Sequence, residues 1–284
     1  MEDFAGKVAV VTGGASGIGR AIGARLVRER ARVVLADIDQ ARLDETVAAI
    51  GAEVGIAVDV TKEASVEALA AAVYDRFGAA HLVFNNAGVG LGEAKREIWT
   101  LPLNDWRWGI DVNVLGVVHG IKAFVPRMMA GGEAGVVINT SSTNGGLRSL
   151  PNTPIYAATK AAVTSISEVL YQQLLRAESK VRAAVLFPGP NTVDTAIMAS
   201  NLVRPADYAG DTPPGAVAYR TMQDLVKATG LNIALTAPEE VADFAVVGLR
   251  TGRFWLLPES ERGDEMIRLR TEEILARADP ASAW

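Results

Sequence analysis

The stretch VAVVTGGASGIG at residues 8–19 decides the fold that we predict for this chain. It begins with an apolar, β-branched run, which is typical of a buried parallel strand. Glycines and a serine follow, and residues 20–26 then have the spacing of a helix. In this context a glycine-rich turn lets the backbone approach a pyrophosphate, to which the helix presents its free N–H groups and positive dipole end. The glycine spacing, Gly13-x-x-x-Gly17-x-Gly19, differs from the usual G-x-G-x-x-G, and a tight turn that binds nothing is the alternative.

Strand-like and helix-like segments alternate along most of the remaining sequence. This alternation, with right-handed crossovers, predicts a Rossmann-type α/β fold: a doubly wound parallel sheet of about seven strands with helices on both faces. Because no linker, composition shift or repeat divides the chain, we expect a single domain over residues 1–284. The predicted strands are 8–12, 32–37, 53–59, 81–85, 135–140, 181–187 and 254–257, and the predicted helices are 20–26, 40–50, 62–77, 104–129, 155–178 and 238–249.

Composition and charge exclude several classes of function. With 49% hydrophobic and 21% charged residues the chain is globular, and a net charge of −5 without a basic block argues against nucleic acid as a partner. The absence of cysteine excludes disulfides and thiolate chemistry, and two histidines, His81 and His119, argue against a metal site. Residues 1–4 are acidic where a signal peptide would be basic, and no apolar run approaches the roughly 18 residues of a membrane span. We therefore expect a cytoplasmic protein without membrane or metal.

Asp37 ends the second predicted strand, 18 residues after Gly19. A carboxylate at this place can accept both ribose hydroxyls of an adenosine and would repel a 2′-phosphate. The position before Gly17, where an arginine could hold such a phosphate, is Ser16. Both observations favour NAD over NADP. The alternative for Asp37 is a helix N-cap or a solvated loop aspartate.

Tyr156 and Lys160 lie four residues apart near the start of a predicted helix and therefore share one face. The free pKa of a tyrosine is about 10, and a neighbouring ammonium or the positive ring of an oxidised nicotinamide would favour the phenolate. Tyr156 is thus a candidate general base for an alcohol proton. Taken alone, such a pair also fits ordinary stacking on a helix surface.

Three further polar positions have ordinary structural explanations when each is taken alone. Ser142 ends the fifth predicted strand and could cap or turn the chain, and Asn86 belongs to a possible turn after the fourth. Asn113 lies inside a predicted helix, where asparagine is a poor helix former and would ordinarily face solvent. If its amide is buried, it indicates a local hydrogen bond or a distortion of the helix.

Taken together, the order and placement of these residues resemble the short-chain dehydrogenase/reductase family in its compact single-domain subtype. The resemblance implies a Rossmann sheet of about seven strands, NAD as the cofactor, and a tetramer or dimer formed through the helices 104–129 and 155–178. The motifs that carry it, between about residues 5 and 195, are Thr12-Gly-x-x-x-Gly-x-Gly19, Asp59-Val60, Asn86-Ala87-Gly88, Asn113, Ser142, Tyr156-x-x-x-Lys160 and Pro188-Gly189.

The resemblance also implies a role for each matching residue. Tyr156 would be the catalytic acid/base, Lys160 would lower its pKa and bind the nicotinamide ribose, and Ser142 would hold and polarise the substrate oxygen. Asn113 would hold a water that relays protons from Lys160. The other cofactor contacts would come from Gly13, Ser16, Gly17, Ile18, Gly19, Asp37, Asp59, Val60, Asn86, Ala87, Gly88, Pro188 and Gly189.

The sequence departs from the family pattern at three places. The interval from Ser142 to Tyr156 is one residue longer than usual, and His81 replaces a frequent aspartate, which we expect to be a structural change without loss of activity. Residues 190–195 fit the Val-x-Thr of the family only with a two-residue insertion, so the nicotinamide contacts there stay undefined. A narrower resemblance, to NAD-dependent dehydrogenases of bulky aryl alcohols such as lignin-derived benzylic alcohols, rests on residues 155–163, 187–190 and Arg204-Pro205.

We predict an enzyme that interconverts a hydrophobic secondary alcohol and a ketone with NAD. The alternatives are an NADPH-dependent 3-ketoacyl reductase, which Asp37 and Ser16 disfavour, and a non-catalytic dinucleotide-sensing protein, which has no need of the serine, tyrosine, lysine and asparagine together. Substrate contacts would come from the loops 90–100, 143–154 and 189–215. Their apolar side chains either line a substrate pocket or pack under the loops; they are Leu147, Leu150, Ile197, Met198 and Leu202.

Overall fold

A computed structural model describes residues 1–94, 96–209, 219–230 and 232–281 of the chain, and a parallel β-sheet lies at its centre. Residues 210–215 of the predicted substrate loop lie outside the described residues. The strands are β1 (Val8–Thr12), β2 (Arg32–Asp37), β3 (Val54–Ala57), β4 (Leu82–Asn85), β5 (Gly135–Thr140), β6 (Val181–Leu186), β7 (Thr192–Val193), β8 (Leu235–Thr236) and β9 (Trp255–Leu256).

The sheet has the order β3-β2-β1-β4-β5-β6-β9, and each neighbouring pair is parallel. These seven strands confirm the predicted Rossmann-type α/β fold, and β7 and β8 form a separate parallel pair. The strand order reverses between β1 and β4, and ligands of open α/β sheets bind in the crevice at the carboxyl ends of the strands there. The candidate site is therefore expected at this edge.

Helices cover both faces of the sheet, because both faces of its strands are apolar. All residues of β1 are buried, as parallel strands between two helical layers require. One hydrophobic core lies between the sheet and α1 and α8, and the other between the sheet and α3, α5 and α6. The helices are α1 (Gly17–Arg28), α2 (Gln40–Ile50), α3 (Glu63–Phe77), α4 (Leu103–Ile110), α5 (Gly116–Gly131), α6 (Pro154–Arg176), α7 (Met222–Thr229), α8 (Pro238–Arg250) and α9 (Glu261–Ala276).

The long helix predicted over 104–129 is interrupted in the structure. A π-helical turn, Asp111–Leu115, joins α4 to α5, and Pro126 lies inside α5 without ending it. By length and composition, the helical stretch Leu103–Gly131 is the one part of the described chain that could cross a membrane. Half of its most apolar window is buried inside the protein, as in core helices.

Two helices were not predicted from the sequence, α7 and α9. In α9 only Gly263 is buried among the described residues of the helix, and α7 buries none of its residues. Both helices therefore add almost nothing to the buried core.

His81 has a structural role at the amino end of β4, opposite the edge expected to bind ligands. Its Nδ1 accepts a hydrogen bond from Val8 N at 3.0 Å, and its Nε2 lies 3.0 Å from Glu133 Oε2. An aspartate in the same place could accept the bond from Val8 as well. The position of His81, away from the site, agrees with the expectation of a structural change.

Candidate active site

The glycine turn between β1 and α1 packs directly on the turn that follows β4. Gly13 and Gly17 have φ angles of +65° and +50°, which side chains rarely adopt. A Cβ on Gly13 would lie 2.9 Å from Ala87 Cα, and one on Gly19 would overlap Gly13 O. These positions therefore require glycine, and no side chain from them covers the backbone amides at the start of α1.

Hydrogen bonding within α1 begins at Arg20, whose amide donates to Ser16 O at 3.1 Å. The amides of residues 17–19 precede it and, as in every helix, have no carbonyl within the helix to bond. A cavity of about 480 Å³ opens beside them, and the charged residues in its lining include Arg20, Arg42 and Glu45. Free amides, the positive helix end and two cations are a donor set that fits a pyrophosphate.

Asp37 lies at the same turn. Its Oδ2 accepts a hydrogen bond from Ala15 N at 3.0 Å, and its Oδ1 accepts one from Asp39 N at 3.3 Å. The N-cap of α2 is Asp39, which accepts the amide of Arg42. Asp37 is thus neither an N-cap nor a solvated loop residue, and its carboxylate has further lone pairs for a ribose.

Thr12 organises the turn after β4, although it was not among the predicted site residues. Its Oγ1 accepts the amides of Asn86 and Ala87 at 3.0 and 3.1 Å, and its carbonyl accepts Asn86 Nδ2 at 3.1 Å. The predicted segment 86–88 is therefore held against the glycine turn. A threonine inside an apolar strand is the signal that could have identified this position.

The other predicted cofactor residues also follow strands at this edge. Asp59 and Val60 follow β3: Asp59 Oδ1 accepts the hydroxyl of Thr61 at 2.7 Å, and Val60 O lies 2.9 Å from a ring nitrogen of His119. Pro188 and Gly189 follow β6, and Gly189 has a φ of +72°. The edge predicted from strand order therefore gathers all the predicted cofactor residues.

Asn113 is fully buried inside the π-helical turn. Its Oδ1 accepts Val89 N at 2.8 Å, and its Nδ2 donates to Val89 O and Thr159 Oγ1 at 3.2 and 3.1 Å. The buried amide and the distorted helix are what the sequence indicated for a functional asparagine. Single π-turns inside α-helices are frequent at functional sites.

Lys160, Tyr156 and Ser142 lie together beside Asn113. Lys160 Nζ is 5.6 Å from the centre of the Tyr156 ring, and the Ser142 hydroxyl is hydrogen-bonded to Tyr156. A Cβ on Gly88 would lie 3.3 Å from Asn113 Oδ1 and 3.5 Å from Lys160 Nζ. The structure therefore places the four predicted catalytic residues around one point, next to the segment 86–88.

Burial dominates the electrostatics of Tyr156 and Lys160 in the chain by itself, and the prediction that Lys160 lowers the pKa of Tyr156 stays a prediction. Burial raises the pKa of Tyr156, and the hydrogen bond from Ser142 opposes this shift. Burial also lowers the pKa of Lys160 to about 8, while its Nζ donates to Thr140 O at 2.8 Å. In the chain by itself, desolvation therefore outweighs the attraction between phenolate and ammonium.

Residues 196–208, called here the cover segment, cross the loop after β4. Ser200 Oγ accepts Gly90 N at 3.1 Å, and the cover segment lines the cavity beside the glycine turn through Leu202, which is 42% exposed. Met198 is also partly exposed, whereas Leu147 is buried against Phe187. Of the two readings of the apolar loop residues, packing under the loop is correct for Leu147.

Glu93 is a buried residue at the site that sequence reasoning missed. Its side chain is 2% exposed, and its two oxygens accept the amides of Ile155 and Tyr156 at 2.7 and 2.8 Å. From the sequence, a lone glutamate in a loop would be expected to face solvent. The residues that it bonds lie 62 and 63 positions further along the chain, so no local pattern indicates the contact.

Comparison with known proteins gives consistent matches. A family model described as short chain dehydrogenase matches residues 7–203. A CLA biosynthesis dehydrogenase/reductase of Lactiplantibacillus plantarum is 32% identical over 99% of this chain and 97% of its own length, and a 1-deoxy-11-beta-hydroxypentalenate dehydrogenase of Streptomyces avermitilis is 39% identical over 72% and 75%. The crystal structure of a short-chain dehydrogenase/reductase from Burkholderia phymatum in complex with NAD is 36% identical, with a TM-score of 0.89, and covers 100% of this chain and 99% of that one.

Proposed function

The chain belongs to the short-chain dehydrogenase/reductase family, and on that basis we propose that it oxidises a hydrophobic secondary alcohol, or reduces the ketone, with NAD. The observation that carries this proposal is the convergence of Asn113, Ser142, Tyr156 and Lys160 beside the glycine turn. A protein that only senses a dinucleotide has no need of these four groups in one place.

The residues of the chain supply the proton chemistry. The nicotinamide, when bound, would accept the hydride in oxidation and donate it in reduction. Tyr156 takes the hydroxyl proton of the alcohol in oxidation and returns it to the ketone oxygen in reduction. Ser142 holds the substrate oxygen and, by its hydrogen bond, lowers the pKa of Tyr156 against the effect of burial. Lys160 binds the nicotinamide ribose, and Asn113 holds a water that relays protons from the lysine.

NAD fits the residues that would hold it. The free amides of residues 17–19 suit the pyrophosphate, and Asp37 beside the turn suits the ribose. The segments at 59–60, 86–88 and 188–189 would line the adenine and nicotinamide ends. The complex of the Burkholderia relative with NAD supports the same choice of cofactor.

Replacing Asp37 with alanine is expected to relax the preference for NAD. The change removes the acceptor of the ribose hydroxyls and the repulsion of a 2′-phosphate, and a hydrogen bond to a charged group contributes about 1.5–3 kcal/mol. The ratio of the NADPH to the NADH dissociation constant should fall at least about tenfold, as measured by calorimetry. Asp39→Ala is the matched control, because it removes the neighbouring carboxylate that caps α2 and should leave the ratio unchanged. An unchanged ratio in Asp37→Ala contradicts the assignment.

Apolar substrates are supported by the partly exposed Met198 and Leu202 of the cover segment. The Streptomyces relative is named as a dehydrogenase of a hydroxypentalenate, which is a hydroxy compound like the alcohol proposed here. Formation of NADH from NAD with a series of hydrophobic secondary alcohols tests the proposal. Turnover with NADPH and 3-ketoacyl substrates alone would favour the ketoacyl reductase instead.

We also propose that the protein is a cytoplasmic homo-oligomer, a tetramer or a dimer, assembled through α5 and α6. Apolar side chains on these helices are left exposed in the isolated chain, namely Met129 at 41%, Val169 at 50% and Leu175 at 68%. Contiguous apolar surface is typical of interfaces that another subunit covers, and these side chains would contribute to it. The mass of the protein in solution tests the proposal.

A further inference from the structure

Glu93 completes the hydrogen bonding of the first turn of α6. Pro154 opens the helix and has no N–H, and the amide of Ala157 already donates to a carbonyl of the preceding turn. The two amides between them, those of Ile155 and Tyr156, are the ones that Glu93 accepts. One side chain therefore takes the place of the N-cap for the turn that carries Tyr156.

This contact requires the desolvation of a carboxylate, and it joins residues that are 62 and 63 positions apart in the sequence. The carboxylate bonds the amide of Ile155, a residue that packs in one buried cluster with Leu91 and Trp108. Burial raises the pKa of Glu93, and its two amide partners lower it. An N-cap next to the helix would satisfy the same amides at the surface. Glu93 instead joins the helix to the loop after β4, and Asn113 holds that loop at Val89.

A second buried carboxylate connects this arrangement to the cover segment. Asp105 is 3% exposed, and its negative charge also raises the pKa of Glu93. Arg204 of the cover segment is paired with Asp105 at 2.6 Å, and its guanidinium carbon lies 4.8 Å from the centre of the Trp108 ring. Arg204 thereby docks the cover segment on α4, and α4 packs on the first turn of α6, since a Cβ on Gly109 of α4 would lie 2.8 Å from Ile155 Cγ2.

We propose that Glu93 is a positioning residue: it fixes the first turn of α6, and with it Tyr156, and it is linked through Asp105 and Arg204 to the docked cover segment. The proposal rests on the proposed function in so far as Tyr156 is the acid/base of the reaction. The cover segment lies against the loop after β4, so the link ties its docked position to the alignment of Tyr156.

Glu93→Gln tests the positioning role with little change of volume. The glutamine has one acceptor oxygen where the glutamate has two, so it can accept only one of the two amides of Ile155 and Tyr156 in the present geometry. Its NH₂ group faces the other amide, and the first turn of α6 loses a hydrogen bond. We expect hydrogen exchange at the amides of residues 155 and 156 to become at least about tenfold faster. We also expect kcat to fall about tenfold or more, since small misplacements of reacting groups are costly, with the NADH dissociation constant within about twofold.

The control is Glu133→Gln, which changes a glutamate that lies 3.0 Å from His81 Nε2 at the opposite edge of the sheet. It should leave kcat and exchange at 155–156 unchanged. Unchanged exchange in Glu93→Gln overturns the proposal, and so does an unchanged kcat or an equal loss of kcat and NADH affinity. Absence of turnover in the unaltered protein would contradict the proposed function alone, because the exchange measurement does not depend on turnover.

Arg204→Gln tests the link to the cover segment and serves as a second variant if Glu93→Gln does not fold. Arg204 touches neither amide of the first turn, so faster exchange at 155 and 156 in this variant would support transmission through Asp105 and α4. Exchange that increases only within residues 196–208 would overturn the link.

Discussion

Replacing Tyr156 with phenylalanine should lower turnover about a thousandfold while the protein still binds NADH. The substitution removes one hydroxyl from a half-buried ring and leaves the packing of α6 intact. The hydroxyl is hydrogen-bonded to Ser142 and is the group that exchanges a proton with the substrate in our account. Positioned acid–base groups contribute about 10² to 10⁴ in rate, and steady-state kinetics with calorimetry of NADH would measure both quantities.

Tyr74→Phe is the matched control for this experiment. It removes the hydroxyl of another half-buried tyrosine, in α3, which packs with the core on that face of the sheet rather than at the candidate site. Its turnover should equal that of the unaltered protein. If Tyr156→Phe kept its rate, the mechanism would be wrong, and if it lost NADH binding in proportion to rate, the tyrosine would serve cofactor binding rather than proton transfer.

Replacing Lys160 with methionine should abolish most turnover and at the same time stabilise the fold at neutral pH. In the proposed mechanism Lys160 holds the cofactor ribose and relays protons to Tyr156, so its loss should lower kcat/KM at least about a hundredfold. The side chain is 3% exposed, and burial lowers its pKa from 10.5 to about 8. Keeping it charged in the folded state therefore costs on the order of 3 kcal/mol.

The pH dependence of this effect follows from the direction of the shift. Between about pH 8 and 10.5 the unfolded state binds more protons at Lys160 than the folded state, so the stability of the native protein rises with pH in that window. Below pH 8 the burial penalty is fully present. The methionine variant removes it and loses the bond to Thr140 O, for a net gain of about 1–2 kcal/mol in the free energy of unfolding at pH 7.

Denaturant unfolding at pH 7 and pH 10 measures this gain, which should shrink at the higher pH. Lys122→Met is the control, because Lys122 lies on the exposed side of α5 and is paired with Glu63. It should change stability by less than about 0.5 kcal/mol. A Lys160→Met protein that is less stable than the parent at pH 7 would show that burial does not penalise the charged lysine.

The parts of the molecule that local sequence encodes could be predicted. The strand, glycine turn and helix at residues 8–28 define the fold because their backbone requirements are local, and the shared face of Tyr156 and Lys160 follows from helix geometry. Asn113 stood out because asparagine disfavours a helix interior, although its role came from the family resemblance, and the structure has a π-turn there. In each case the signal and the structure involve the same few residues.

Contacts between distant segments could not be predicted. The carboxylate of Glu93 bonds a residue of α6 that is 62 positions away, and Asp105 of α4 pairs with Arg204, which is 99 positions away. These charged side chains are buried because the loop after β4 and the cover segment pack on α4. Nothing in the local sequence marks a charged side chain as buried. For the same reason the desolvation of Tyr156, which raises its pKa in the chain by itself, could not be predicted, since neighbours can be counted along a helix but burial cannot.

The most direct test of the account is a calorimetric titration of the unaltered protein with NADH and with NADPH under the same conditions. The account predicts that NADH binds at least about tenfold more tightly, because Asp37 accepts the ribose hydroxyls and repels a 2′-phosphate. Tighter binding of NADPH would contradict the role of Asp37 and favour a ketone reductase of the ketoacyl type. Binding of neither dinucleotide would contradict the assignment of the glycine turn as a cofactor site.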